Sequence, residues 1–163
     1  MIPSLGQDLL RETSVGMGQA VLAQAPAQLK AILGSCVAVA LYAPRLQLGM
    51  LSHVVLPKGA PRAESPGKFA DAAIPYMLSV LREHGAEPGR LVAKVAGGAC
   101  MFGGSHFMDI GASNAKVVLE ALEASHVSIA ARDLGGTAGR RVSFDIATGG
   151  LTVASAGHSS RTI

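Results

Sequence analysis

Residues 36–56 read Cys-Val-Ala-Val-Ala-Leu-Tyr-Ala-Pro-Arg-Leu-Gln-Leu-Gly-Met-Leu-Ser-His-Val-Val-Leu, and their pattern decides the fold. Val37, Val39 and Leu41 alternate with Cys36, Ala38, Ala40 and Tyr42, the period of two that marks a β-strand. Small side chains on the Cys36 face leave room beside it. A second apolar strand, 49–56, follows after Gly and Pro punctuation and carries His53. If Ala43 and Leu48 close this hairpin, Cys36 falls opposite Val55 and shares a face with His53 as a diagonal neighbour, ~7–8 Å away by backbone. A slip of one residue puts the two on opposite faces, and the sequence does not fix that parity.

Outward from the hairpin the strand signals continue. Stretches 20–23 and 27–33 precede it, so the first half reads as a set of antiparallel strands. Residues 58–67 are rich in Pro, Gly and charge and form an exposed loop placed to cover a site. Phe69, Ala73, Met77, Val80 and Leu81 then recur at helical spacing as far as Glu83, with Gly85 as a stop. Pro75 inside that pattern implies a kink or a late start. A strand at 91–96 ends in Gly97-Gly98, and Ser113 or Asn114 can cap a second helix with Val118, Leu119 and Leu122 on one face. Three late strands are expected at 127–131, 141–146 and 151–154. Strands outnumber helices and arrive in runs. An α+β fold is therefore expected over a doubly wound parallel sheet: a compact single-domain α/β sandwich with antiparallel or mixed sheets and two main helices.

Composition agrees with one domain spanning 1–163. Hydrophobic residues make up 49% and charged residues 15%, but there are only four Phe, two Tyr and no Trp, so small aliphatics must fill the core. The net charge of +3 comes from bases scattered singly, with no basic, aromatic-rich strand on which bases stack, so a nucleic-acid role is not expected. The apolar run 31–43 is broken by Gly34 and Ser35 and is shorter than the ~20 residues a membrane span requires. The first residues lack the basic-then-apolar pattern of an export signal, which points to the cytoplasm. There, two cysteines are expected as free thiols.

Two residues invite a chemical reading. Cys36 follows Leu33-Gly34-Ser35, a turn at the start of a strand that can expose a thiol; equally, free cysteine is often just a small buried hydrophobe. His53 is a polar ring in an apolar strand, either a base or a core histidine satisfied by a carbonyl. Cys36, His53, Cys100 and His106 lack the paired short intervals of zinc motifs, so no metal site is expected. Gly16-Met17-Gly18 and Gly135–Gly139 are incomplete as nucleotide fingerprints and read as turns.

Successive blocks carry a resemblance. Leu33-Gly34-Ser35-Cys36-Val37, Ser52-His53-Val54-Val55-Leu56-Pro57 and Lys68-Phe69-Ala70-Asp71-Ala72-Ala73-Ile74-Pro75 are similar to signatures of the CheD family of chemoreceptor glutamine deamidases. So are Ala93–Ala99, Asp109-Ile110-Gly111 with Asn114, Gly135–Arg140 and Phe144–Gly149, giving coverage from about Gly18 to Ala154.

The resemblance implies a sandwich also similar to certain bacterial toxin deamidases. In it Cys36 is the nucleophile, His53 its base, and backbone amides around Gly34, Ser35 and Cys36 bind the oxyanion. No cofactor is implied. Implied partners are the cytoplasmic domains of chemotaxis receptors and a chemotaxis phosphatase of the CheC type; a module that docks on either without chemistry is the alternative.

The family's threonine six residues before the cysteine, which orients the histidine, is Lys30 here. His53 then needs a backbone carbonyl or another side chain to fix its tautomer, while a nearby Lys can lower a thiol pKa. On this reading Lys30→Thr raises turnover ~10-fold, and an activated Cys36 alkylates near neutral pH faster than Cys100.

Overall fold

The computed structural model describes residues 11–101 and 109–163. His106, and the N-terminal residues read for an export signal, lie outside these. The chain forms β1 (Arg11–Ser14), β2 (Ala20–Gln24), β3 (Ala27–Leu33), β4 (Val37–Ala43), β5 (Leu48–Val54), α1 (Ala70–Glu83), β6 (Val92–Gly97), α2 (Ile110–Ala124), β7 (Ser128–Leu134), β8 (Arg140–Asp145), β9 (Leu151–Ser155) and β10 (Arg161–Thr162). Two five-stranded mixed sheets result, one in the order β1-β3-β8-β9-β10 and the other β2-β5-β4-β6-β7. This is the α+β sandwich expected from the sequence, with two helices. α2 is the crossover between β6 and β7, which pair in parallel.

The layers follow from the alternation in β4. Val37, Val39 and Leu41 pack with Ile74, Met77 and Leu81 of α1 and with Val118 and Leu122 of α2. Ala38, Ala40 and Tyr42 pack with Leu29, Ala31, Phe144 and Val153 of the other sheet. The second sheet is therefore sandwiched between the first sheet and the helices, and every residue of β4 and β5 is buried. Burial on both faces accounts for the near-continuous apolar runs of these strands. Small residues close the gap between sheets: Ala38 and Ala40 share this layer with the ring of Phe144, which meets Tyr42 edge-on at 5.9 Å.

Several boundaries differ from the sequence reading. α1 runs unbroken through Pro75. α2 begins four residues before Asn114, because Asp109 is its cap and accepts from the Ala112 amide at 2.9 Å. The stronger capper upstream wins, and Asn114 becomes an interior helical residue. β1 and β10 have no apolar alternation and were not expected; both are short and exposed.

An ionic tie joins the edge strand β7 of the second sheet to the first sheet. Asp133 of β7 takes bonds from Arg140 of β8 at 3.0 Å and Arg161 of β10 at 2.8 Å. Burial alone would push its carboxyl up, but the two guanidinium groups outweigh that and hold it below the ordinary carboxylate range.

Candidate active site

The hairpin pairs Ala43 with Leu48, Ala38 with His53 and Val37 with Val54. Continued one rung past its last pair, the same register sets Cys36 opposite Val55, whose N–H donates instead to Lys68 O at 2.9 Å. The parity left open by the sequence is thus the one that puts Cys36 and His53 on the same face, toward the first sheet, as diagonal neighbours. Cys36 packs among Ala38, Ala31 and Leu33 on that side.

His53 is held at both backbone and ring. Its N–H donates to Gln19 O at 2.9 Å, and its carbonyl accepts from Gly18 N at 2.9 Å. The ring Nδ1 lies 2.9 Å from the Val15 carbonyl. A carbonyl only accepts, so in the neutral ring Nδ1 carries the proton and Nε2 is left as a bare lone pair. Nε2 is buried without a partner among the described residues, which is the state a proton acceptor requires.

Val15 is itself pinned, because its N–H donates to the Lys30 carbonyl at 2.7 Å. Lys30 therefore acts on the histidine through its backbone, while its ammonium pairs with Glu12 at 3.1 Å in a half-exposed ion pair. Of the alternatives raised by the missing threonine, the backbone carbonyl is realised. A hydroxyl at position 30 has no unfilled bond to make at Nδ1, so the ground for a ~10-fold gain in Lys30→Thr is gone.

The corner bearing Cys36 is fixed through three consecutive carbonyls. Gly34 O accepts from Ala99 N at 3.1 Å and Cys36 O from Gly98 N at 2.9 Å, while Ser35 O accepts from the Asn114 side chain at 3.1 Å. The turn that follows β6 must come very close to deliver these donors. Gly97 and Gly98 have φ of +114° and +68°, and a Cβ on Gly97 would collide with the Cys36 carbonyl. Glycine is required there for both conformation and space.

Cys36 is 8% exposed, and burial pushes its thiol above the usual range. Both cysteines are free. Burial thus works against a thiolate at Cys36 in the resting protein, which argues for slow rather than fast labelling. Iodoacetamide should modify Cys36 slowly at pH 7, with a rate that climbs only above the ~8.5 of an ordinary thiol. Peptide mapping after timed alkylation checks this; rapid labelling of Cys36 at neutral pH would show a thiolate already exposed at rest.

Two cavities along the first sheet lie next to the site without reaching Cys36 itself. A cavity of about 630 Å³ is lined by His53, Val15, Met17, Lys30, Ile32 and Arg141. A second, of about 560 Å³, shares Ile32 and Arg141 and reaches Gly34. Ile32 and Met17 are 72% and 71% exposed, so the approach to the corner is apolar with a cationic flank. Among the described residues, no three His, Cys, Asp or Glu side chains converge to hold a metal ion, and no helix is long and apolar enough to cross a membrane.

Sequence reasoning named Cys36, His53, Ser35 and Gly34, and the fold gathers all four at one end of the β4–β5 hairpin. It missed Val15, whose contribution is a backbone carbonyl with no sequence signal. It also offered Ser113 or Asn114 as the cap, although Gly111, Asn114, Val118 and Leu122 form one buried helical stripe with Asn114 as its polar member.

The family model for CheD chemotactic sensory transduction matches residues 51–155, a span that includes His53 and Asn114 and begins after Cys36. Relatives extend the match across the whole site. A protein named probable chemoreceptor glutamine deamidase CheD, from Desulforamulus reducens, is 41% identical over 152 residues, covering 90% of this chain and 92% of its own. One of the same name from Syntrophomonas wolfei is 40% identical, covering 91% and 96%. The chemoreceptor glutamine deamidase CheD of Thermotoga maritima is 38% identical, covering 88% and 91%. A family model matched along most of the chain, and relatives this similar along nearly all of it, make this protein a member of the CheD family.

Proposed function

We propose that the protein hydrolyses the side-chain amide of glutamines on the cytoplasmic domains of chemotaxis receptors, with Cys36 as nucleophile and His53 as base. The names of its relatives support the substrate class. The observation that carries the chemistry is the Nδ1 bond to Val15, which leaves Nε2 free on the face that also bears Cys36.

In this mechanism Nε2 takes the Cys36 proton as sulfur attacks the carboxamide carbon, so the thiolate forms only as it reacts. The tetrahedral oxyanion is held by backbone amides of the Gly34-Ser35-Cys36 corner. Collapse expels ammonia with the proton from His53 and leaves a thioester. Water, deprotonated by His53, then hydrolyses the thioester to a glutamate side chain and the free thiol. Because the same steps cleave a glutamyl methyl ester with methanol as leaving group, methylesterase activity accompanies deamidation in this reading. No metal or organic cofactor enters these steps.

One observation favours a second reading, a module that docks on receptors or a CheC-type phosphatase without chemistry: burial pushes the Cys36 thiol up, away from the thiolate. Incubation of the protein with a purified receptor cytoplasmic fragment separates the two. Release of ammonia with a gain of about one dalton per modified glutamine is the expected result. Binding with no ammonia and no mass change would favour the module.

A further inference from the structure

The geometry points to Asn114 as a positioning residue for the reaction: its amide staples the nucleophile's corner to the histidine strand and aims the Cys36 N–H at the oxyanion. This rests on the proposed Cys36–His53 chemistry and deepens it.

Asn114 is fully buried on the inward stripe of α2. Its Nδ2 donates to Ser35 O at 3.1 Å and to Val55 O at 3.0 Å. Ser35 immediately precedes Cys36, and Val55 is the residue opposite Cys36 in the extended hairpin register. One NH₂ group therefore spans the open end of the β4–β5 ladder, just beyond its last rung, with one hydrogen for each strand. That bridge sets the separation of the two strands where the thiol and the imidazole must meet.

The bond to Ser35 does more than tether. The Ser35 carbonyl and the Cys36 N–H belong to one planar trans peptide and point in opposite directions. Drawing that carbonyl toward α2 fixes the N–H on the other side of the chain, away from the helix layer. An oxyanion donor contributes only if it is aimed before charge develops, and a peptide free to rock loses that advantage.

Asn114 Oδ1, in turn, is buried with no partner among the described residues. Rotating the amide by half a turn would set that oxygen against two carbonyl oxygens, so the two donors decide the orientation. An apolar residue would complete the stripe of Gly111, Val118 and Leu122 without stranding an acceptor. The amide is what the corner needs, and the helix core does not.

The test uses the full chain with Asn114→Ala, and Asn114→Ser, which keeps one donor, in case the alanine variant does not fold. Each is assayed well below its unfolding midpoint, beside Cys36→Ser, on the same receptor fragment. The expected result for Asn114→Ala is a kcat lower by about 10–100-fold with KM within about threefold, short of the ~10²–10³ typical of deleting an oxyanion donor outright. Iodoacetamide, whose reaction develops no oxyanion, should modify Cys36 at least as fast as in the unaltered protein. Asn114→Ser should recover part of the lost kcat. A folded Asn114→Ala with kcat within threefold of the unaltered protein, while Cys36→Ser is inactive, overturns this inference alone. Alkylation falling in parallel with kcat also overturns it, since the thiol itself would then be displaced. Full activity in Cys36→Ser overturns the Cys36 reading and this inference together.

Discussion

Cys36→Ser should lower ammonia release by about 10⁴-fold or more, to the level of a protein-free control. The change swaps sulfur for oxygen inside a packed pocket, so the fold should persist and the loss should report chemistry. A serine hydroxyl is a much weaker acid than a thiol, and among the described residues the imidazole is backed by the Val15 carbonyl, with no carboxylate bonded to it. It cannot draw a proton from so weak an acid at a useful rate. Intact-mass measurement of the receptor fragment reads the outcome directly. If the variant still produces the gain of about one dalton per glutamine, the thiol is not the nucleophile.

His53→Ala is expected to slow turnover by ~10²-fold or more. In the proposed mechanism the imidazole has two duties, accepting the Cys36 proton and giving it to departing ammonia, and no other described side chain is seen to take them. Removing the ring also leaves the Val15 carbonyl buried without its donor, which costs about 1–3 kcal/mol of stability. Rates should therefore be read well below the unfolding midpoint, with circular dichroism as the check on folding. Turnover unchanged in a folded His53→Ala would make His53 a core histidine whose whole purpose is the bond to Val15.

The two predictions differ in how far they were legible beforehand. The alternation in 36–43 identified a strand and its faces, and the sandwich follows from strands arriving in runs. Whether Cys36 and His53 share a face depended on a hairpin register that apolar residues on both faces could not specify; Ala43 and Leu48 close it, and tertiary packing decides it. Backbone acceptors were illegible. Val15 O, Lys30 O and Ser35 O carry no side-chain signature, yet they hold His53 and the turn before Cys36, the proposed base and nucleophile. Lys30 misled for the same reason: the side chain suggested a lost triad member or a thiolate-stabilising cation, whereas its carbonyl holds Val15 and its ammonium faces Glu12. Asn114 looked like a cap because Asn favours caps, and Asp109 outcompeted it for that place.

The three carbonyl clamps on the corner also bear on when, during folding, the proposed nucleophile becomes competent. Gly34 and Cys36 wait for donors that follow β6, and Ser35 waits for a donor 79 residues further along the chain. Contacts of such separation carry a loop-closure cost and tend to form late. A growing or partly folded chain thus presents Cys36 on an unclamped turn, with neither a fixed oxyanion donor nor a placed base. Its thiol can behave only as an ordinary cysteine. On the proposed chemistry, coupling the site to docking of the β6–α2 crossover makes amide hydrolysis a property of the completed fold rather than of the β4–β5 hairpin alone.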